Sequence, residues 1–233
     1  MGVILLVRHG QASFGLGDYD RLSARGAEQT MFLGRRIAAM SGSPTQLWSG
    51  QLSRQRATLD RVQNALPSGD DAPVRTEDGR LDEFDHQSIL RAHKPAWRSR
   101  PLMLADLARS RDAKARFQEV FHESTVRWAT GDDDASYGES FPAFVARCRA
   151  VSQALQQSAA DGTVLAASSG GVISAICADL LGLGGAGWLQ MNRVMVNASI
   201  TKLITGRESG KLTMVSFNDH AHLEHDRSLI TYR

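Results

Sequence analysis

Arg8 and His9, in the segment LLVRHG, combine a guanidinium and an imidazole directly after a run of aliphatic residues. A neutral imidazole nitrogen can attack phosphorus without first losing a proton, and a guanidinium offers forked N–H donors to phosphoryl oxygens. Gly10 follows and lets the backbone turn closely around a ligand. A surface turn with one partly exposed histidine would have the same three residues, so the remaining chain must distinguish the two interpretations.

Two further side chains favour phosphoryl chemistry. Arg54, in SGQLSRQRAT, lies in the first turn of a predicted helix, where its guanidinium can reach a phosphate. Glu83, in RLDEFDH, is a carboxyl that can protonate a leaving oxygen and then, once ionised, activate water. This chemistry needs no metal and no cofactor. The chain also contains histidines whose spacing matches no compact set of metal ligands, namely His86, His93 and His122.

The elements that must position these groups follow from hydrophobic periodicity. Strands are predicted at 3–7, 46–50, 74–76, 164–168, 197–206 and 211–219, the last two as a hairpin with a turn at 207–210. Helices are predicted from an N-cap at Ser23 to about Met40, over 52–66, from Ser140 onward, and after the Gly170-Gly171 pair, where GLGGAG ends the helix. Strands alternating with helices predict an α/β domain whose site lies beyond the C-terminal ends of the strands.

Composition narrows the class of protein. The chain has 233 residues, 42% of them hydrophobic, which suffices for one large domain. Its net charge of +2, with acids and bases interspersed, gives no basic face for nucleic acid or an anionic membrane. Cys148 and Cys177 fall on apolar helix faces and are expected to be buried thiols, which fits the cytoplasm.

The motifs and their order resemble those of the histidine phosphatase superfamily, which contains the cofactor-dependent phosphoglycerate mutases and related acid phosphatases. The matching segments are LLVRHGQAS, YDRLSARGAEQ, LWSGQLSRQRAT, RLDEFD, YGES and FNDHAHLE. The resemblance implies a phosphoglycerate mutase-like α/β fold, a three-layer α/β/α sandwich with a mostly parallel six-stranded sheet. It implies a single domain over 1–233, with a helical insertion at about 86–138 over the active site.

The resemblance also implies roles for individual residues. His9 would be the nucleophile that forms a phosphohistidine, Arg8 and Arg54 would hold the phosphoryl oxygens, and Glu83 would be the general acid. Gln11 and Ser13 follow the nucleophile and could donate to phosphate or substrate, although residues of these types also form turns.

The chain departs from the family at position 169, where members usually have a histidine before Gly-Gly that contacts the phosphoryl group. Here VLAASSGGVISAI has Ser169. Its hydroxyl and the backbone N–H groups of the helix that begins at Gly170 still suit an anion. His220 or His222, after the last strand, is a candidate for a substitute imidazole; the alternative for His222 is a structural histidine packed near the pocket.

Three functions remain open at this point. The first is a metal-independent phosphatase acting on a small phosphomonoester. The second is a phosphoglycerate mutase-type phosphomutase, although the mutases continue after the acid with Arg-His-Tyr-Gly or close to it, whereas this chain has FDHQSI. The third is a catalytically weakened phosphoester-binding protein. The expected partner is a small phosphorylated substrate, without nucleic acid or membrane, and a homodimer is compatible with the sequence.

Overall fold

A six-stranded sheet forms the centre of the computed structural model, which describes residues 1–13, 20–69, 72–131, 133–160, 162–206 and 211–232. Its strands are β1 (Val3–Arg8), β2 (Gln46–Ser49), β3 (Val74–Glu77), β4 (Thr163–Ser168), β5 (Ile200–Thr205) and β6 (Leu212–Asp219). They lie in the order β3-β2-β4-β1-β5-β6, with parallel pairing from β3 to β1 and antiparallel pairing of β5 with both β1 and β6. The mostly parallel six-stranded sheet is confirmed; the predicted turn at 207–210 lies outside the described residues.

Helices cover both faces of the sheet because its central strands are apolar on both sides. In β1, Ile4 and Leu6 belong to one hydrophobic cluster, whereas Leu5 and Val7 belong to another. Successive side chains of a strand point to opposite faces, so the two clusters are the two interlayer cores of an α/β/α sandwich.

The helices are α1 (Ala24–Ala38), α2 (Ser53–Gln63), α3 (His86–His93), α4 (Arg100–Ala108), α5 (Ala113–Thr130), α6 (Phe141–Ser158), α7 (Gly170–Leu181) and α8 (Gly184–Val194). The predicted N-cap at Ser23 is confirmed, since its hydroxyl accepts from Gly26 N. The helix predicted from Ser140 is α6, and the Ser140 hydroxyl caps it by accepting from Ala143 N. None of the described helices combines the length and the apolar character that a membrane crossing requires.

Helix α8 was not predicted, because its first residues were assigned to the glycine-rich end of α7. Gly182 does end α7 in the left-handed conformation, with φ of 67°. The chain then forms a second helix, held by the fully buried Trp188, whose indole N–H donates to Gly171 O at 2.9 Å. Tertiary packing thus overrides the low helix propensity of Gly184, Gly185 and Gly187.

The segment between Glu83 and α6 is helical, as predicted, and contains α3, α4, α5 and short 3₁₀ turns. It has its own small hydrophobic cluster, formed by Leu90, Trp97 and Val120. No residue of α4 is buried. Cys148 and Cys177, outside this segment, are free and buried, as the sequence predicts.

Candidate active site

His9 lies one residue beyond the C-terminal end of the central strand β1. Its backbone N–H donates to Ser168 O at the end of β4, at 2.9 Å, and the residue is only 6% exposed. The ring is fixed at both nitrogens: Nδ1 lies 2.7 Å from Gly10 O, and Nε2 lies 3.1 Å from Arg54 Nε. A guanidinium can only donate and a carbonyl can only accept, so these partners assign the proton to Nδ1 and a lone pair to Nε2.

The environment of His9 keeps the imidazole neutral. Burial holds the pKa of His9 well below its ordinary value, and the positive charges of Arg54 and Arg8 act in the same direction. The hydrogen bond to Gly10 O opposes them only in part. At neutral pH Nε2 therefore carries the free electron pair that a nucleophile needs.

Arg54 reaches His9 from the first turn of α2, which follows β2. It is 7% exposed, and its Nη1 donates to Asp20 Oδ1 at 2.8 Å. The other oxygen of Asp20 accepts from Ser53 N at 2.7 Å, so one carboxylate holds both the start of α2 and the guanidinium. Asp20 is a site residue that the sequence alone did not predict, although it lies within the motif YDRLSARGAEQ.

Arg8, the last residue of β1, lies across the start of α7. Its Nη1 donates to the carbonyl groups of Met195 and, at 3.0 Å, Tyr232. An added Cβ at Gly170 would come within 3.3 Å of Arg8 Nε, so the guanidinium packs directly against this glycine. Arg8 and the first N–H groups of α7 therefore present positive charge to the same space.

The carboxyl group of Glu83 contacts the first turn of α7. Its Oε2 accepts from Gly171 N at 3.2 Å, and a Cβ at Gly171 would lie 2.2 Å from its Oε1. Only glycine leaves room for the carboxylate at this position, which accounts for the second residue of the Gly-Gly pair. The structure thus brings Arg8, His9, Arg54 and Glu83 together around the ends of β1 and β4 and the start of α7.

Ser169, the N-cap residue of α7, is fully buried beside this cluster. Its hydroxyl accepts from Gln55 Nε2 at 2.9 Å, and the same amide donates to Leu81 O at 3.0 Å. Gln55, which the sequence analysis did not single out, therefore ties α2 to α7 and to the turn before Glu83. A phosphate contact of Ser169 stays a prediction.

Gln11 and Ser13 make the contacts of turn residues. The side-chain oxygen of Gln11 accepts from the Ser23 hydroxyl at 2.9 Å, at the start of α1, and the Ser13 hydroxyl donates to Arg21 O at 3.1 Å. Their proposed roles in substrate binding stay predictions.

The rings of His222 and His220 hydrogen-bond to backbone carbonyl groups, and a role of either as a substitute imidazole stays a prediction. His222 Nε2 donates to Ala198 O at 3.1 Å, and Ala198 N in turn donates to the Arg8 carbonyl at 3.1 Å. Burial lowers the pKa of His222 to about 4. His220 Nδ1 bonds to Asn218 O at 2.7 Å. Within the described ranges, no hydrogen bond joins either ring to His9 or Glu83.

A buried circuit of polar side chains holds the loop that carries the nucleophile. Asn197 Nδ2 donates to His9 O at 3.2 Å, and the Thr231 hydroxyl donates to Asn197 Oδ1 at 2.9 Å. Gln29 closes the circuit, because its Nε2 donates to the Thr231 hydroxyl at 2.7 Å and its Oε1 accepts from Gln11 N at 2.8 Å. Asn197, Gln29 and Thr231 carry no sequence signal that a single chain would reveal.

The histidines of the helical segment do not converge. His86 packs against the rings of Phe84 and Phe121, whereas His93 pairs with Glu123 at 3.5 Å. Over the described part of the chain, no three His, Cys, Asp or Glu side chains gather as ligands for a metal ion.

Comparison with known proteins identifies the family and the fold. A model of the histidine phosphatase superfamily (branch 1) matches residues 4–114 and 108–220. No curated protein matches the chain. Among solved structures, a mycobacterial glucosyl-3-phosphoglycerate phosphatase is 22% identical with a TM-score of 0.62, over 94% of this chain and 99% of that chain.

Two other similar structures are a phosphoserine phosphatase from Entamoeba histolytica and a phosphoglycerate mutase from Bacillus anthracis. The first is 18% identical with a TM-score of 0.66, over 96% of this chain and 100% of that chain. The second is 18% identical with a TM-score of 0.60, over 96% and 95%. At these identities the structures establish the phosphoglycerate mutase-like fold, and the family model, which spans most of the chain, establishes the family. The chain belongs to branch 1 of the histidine phosphatase superfamily.

Proposed function

We propose that this chain is a metal-independent phosphatase that hydrolyses a small phosphomonoester through a phosphohistidine on His9. The observation that carries the proposal is the hydrogen bond from Arg54 Nε to His9 Nε2, at 3.1 Å. It leaves the reactive nitrogen unprotonated and directs a phosphate-binding group at it. When substrate binds, the guanidinium of Arg54 donates to phosphoryl oxygens instead and releases the lone pair of Nε2.

In the first step, His9 Nε2 forms a bond to phosphorus while the bond between phosphorus and the alcohol oxygen breaks. Protonated Glu83 gives its proton to that departing oxygen, and the free alcohol leaves. Arg8, Arg54 and the N–H groups at the start of α7 stabilise the negative charge on the remaining phosphoryl oxygens.

In the second step, the Glu83 carboxylate takes a proton from water as the water oxygen bonds to phosphorus. The bond between phosphorus and His9 Nε2 breaks, and inorganic phosphate leaves. Both residues return to their starting protonation states, so the cycle consumes one water and needs no further reagent.

For the substrate we propose a phosphomonoester whose alcohol part carries a second anionic group. The segment 86–117 contains eight Lys or Arg residues and two Asp residues, although the whole chain has a net charge of only +2. Arg91, Arg98 and Arg100 line a cavity of about 330 Å³ with the rings of Trp97 and Phe117. The substrates named for the similar structures, phosphoserine and glucosyl-3-phosphoglycerate, also carry a carboxylate.

The test is phosphate release by the purified chain in EDTA from an aryl phosphate, phosphoserine, 3-phosphoglycerate, sugar phosphates and nucleotides. We expect turnover that survives EDTA and is lost in His9→Ala, with the exposed His122→Ala as the matched control. Isomer formation without phosphate release would establish a mutase instead. No turnover, together with a melting temperature that rises with phosphate, would establish a binding protein.

A further inference from the structure

One imidazole near Glu83 plays no part in the mechanism proposed above. His86 is the first residue of α3 and comes three positions after Glu83. Its ring meets the edge of Phe84, with centroids 4.2 Å apart, and that of Phe121, with centroids 5.3 Å apart. Phe84 in turn packs against Gly171, where an added Cβ would lie 2.8 Å from the ring. His86 is thus one aromatic ring away from the glycine that binds Glu83.

The hydrogen bonding of His86 leaves one ring nitrogen for a ligand. Nδ1 is buried and has no hydrogen-bond partner within the described residues. The residue as a whole is half-buried, so Nε2 is the nitrogen that remains for a ligand. With the proton on Nε2, the buried Nδ1 keeps only a lone pair, and the ring presents an N–H donor on its other side.

The charges that act on His86 are those of the catalytic groups. Burial lowers the pKa of His86, which keeps the ring neutral. Among charged groups, the Glu83 carboxylate acts most strongly and raises the pKa, Arg54 follows and lowers it, and the adjacent Asp85 acts less strongly than either. Glu83 and Arg54 are therefore both close enough to this imidazole to act on its charge.

The other candidates do not supply a second imidazole N–H. Ser169 carries only a neutral hydroxyl, whose oxygen already accepts from Gln55. His222 donates its Nε2 proton to Ala198 O, so its Nδ1 keeps a lone pair and cannot donate. We propose that His86 is the second imidazole of this active site, donating from Nε2 to the phosphoryl group of the substrate on the side where Glu83 lies. It takes over the task of the imidazole that position 169 lacks. The proposal rests on the phosphatase function proposed above.

Three variants test this role. His86→Phe keeps a ring between Phe84 and Phe121 but removes both nitrogens, whereas His86→Gln keeps an N–H donor of similar reach. Loss of one preorganised donor should lower kcat for an aryl phosphate by about 10²- to 10³-fold in His86→Phe. His86→Gln should recover most of that loss. His93→Phe, on the same helix, is the matched control and should stay within about twofold of the wild type.

Chemical rescue with free imidazole distinguishes a catalytic role of His86 from a structural one. In His86→Ala, added imidazole should restore turnover in a saturable way without raising the melting temperature, and this variant decides the question if His86→Phe is poorly folded. In the double variant Ser169→His and His86→Phe, an imidazole returns on the α7 side, and kcat should exceed that of His86→Phe alone.

The outcomes distinguish this proposal from the one on which it rests. If the wild type releases no phosphate, the phosphatase function is wrong. If the wild type is active and depends on His9, but folded His86→Phe keeps kcat within threefold or imidazole leaves His86→Ala unchanged, the role of His86 alone is wrong.

Discussion

The proposed phosphate-binding floor and the helical segment hold their side chains in different ways. The floor comprises residues 8–11, 54–55 and 168–171, and buried hydrogen bonds fix its side chains, as with Arg54 on His9 and Gln55 on Ser169. The helical segment comprises α3 to α5 and is held by ring contacts such as the stacked Trp97 and Phe117, with centroids 5.9 Å apart. Its helix α4 buries no residue.

The difference assigns separate tasks to the two regions. A buried donor or acceptor that loses its partner costs about 1–3 kcal/mol, so the floor accepts one geometry and changes there affect rate and stability together. Exposed charges cost little to replace, so the substrate preference that we propose for the helical segment can change without loss of the fold. Substitutions that break this pattern would show that the two regions are not separate in function.

The largest effect on rate outside His9 is expected from Glu83→Gln, which keeps the hydrogen bond from Gly171 N but removes the transferable proton. General acid–base catalysis contributes about 10²- to 10⁴-fold, so hydrolysis of an alkyl phosphate should fall by that factor. With an aryl phosphate, whose leaving group needs little protonation, the first step should persist. The phosphohistidine should then accumulate, and a burst of released aryl alcohol should accompany it. Glu77→Gln, which alters an exposed carboxylate paired with Arg56, is the control. Equal turnover in the two variants would rule out Glu83 as the acid.

A large effect on stability is expected from Gln29→Leu. Gln29 is fully buried and bonds to Gln11 N, Leu229 O and Thr231 Oγ1, so its removal leaves several buried groups without partners. The free energy of unfolding should fall by about 2–4 kcal/mol, as measured by urea denaturation. Gln87→Leu makes the same change on the exposed face of α3 and should stay within about 0.5 kcal/mol. Similar losses in both variants would contradict the contrast between the two regions.

The protonation of His222 should have an intermediate effect on the free energy of unfolding. Its pKa is about 4 in the folded chain against an ordinary value of 6.5, so below pH 6.5 the unfolded chain binds the proton first. The folded chain therefore has its full stability above pH 6.5, where His222 is neutral in both states, and loses stability as the pH falls toward 4. Between pH 7 and 5 the wild type should lose about 2 kcal/mol more than His222→Gln, which keeps a donor for Ala198 O. Equal losses would mean that His222 is protonated in the folded chain.

The contrast between the regions also explains what the sequence could predict. Strand and helix positions, the cap at Ser23 and the gathering of Arg8, His9, Arg54 and Glu83 follow from periodicity and short motifs, because they depend on local sequence or on strand ends meeting at one edge. Asn197 and Thr231 could not be assigned, because their role exists only when distant segments meet at His9. The same holds for α8, whose glycines predict a turn until Trp188 packs under α7.

His86 shows a different limit of sequence interpretation. In the sequence, His86, His93 and His122 raise only the question of metal binding, because histidines are common metal ligands. The ring contacts of His86 with Phe84 and Phe121 depend on how α3 packs against α5, and no spacing rule contains that packing.

The smallest effect is expected in the helical segment, from Arg98→Ala. Arg98 is exposed and lines the cavity with Arg91 and Arg100, so its loss should leave the free energy of unfolding within about 0.5 kcal/mol. An exposed charge pair contributes about 0.2–1 kcal/mol, so KM for a phosphomonoester with a second anionic group should rise by roughly 1.4- to fivefold. The KM for an aryl phosphate without that group should not change, and Arg109→Ala, outside the cavity lining, should alter neither value. If KM rose for both substrates, the positive charge of Arg98 would act on the phosphoryl group over a distance. The helical segment and the floor would then share one electrostatic effect and would not be separate in function.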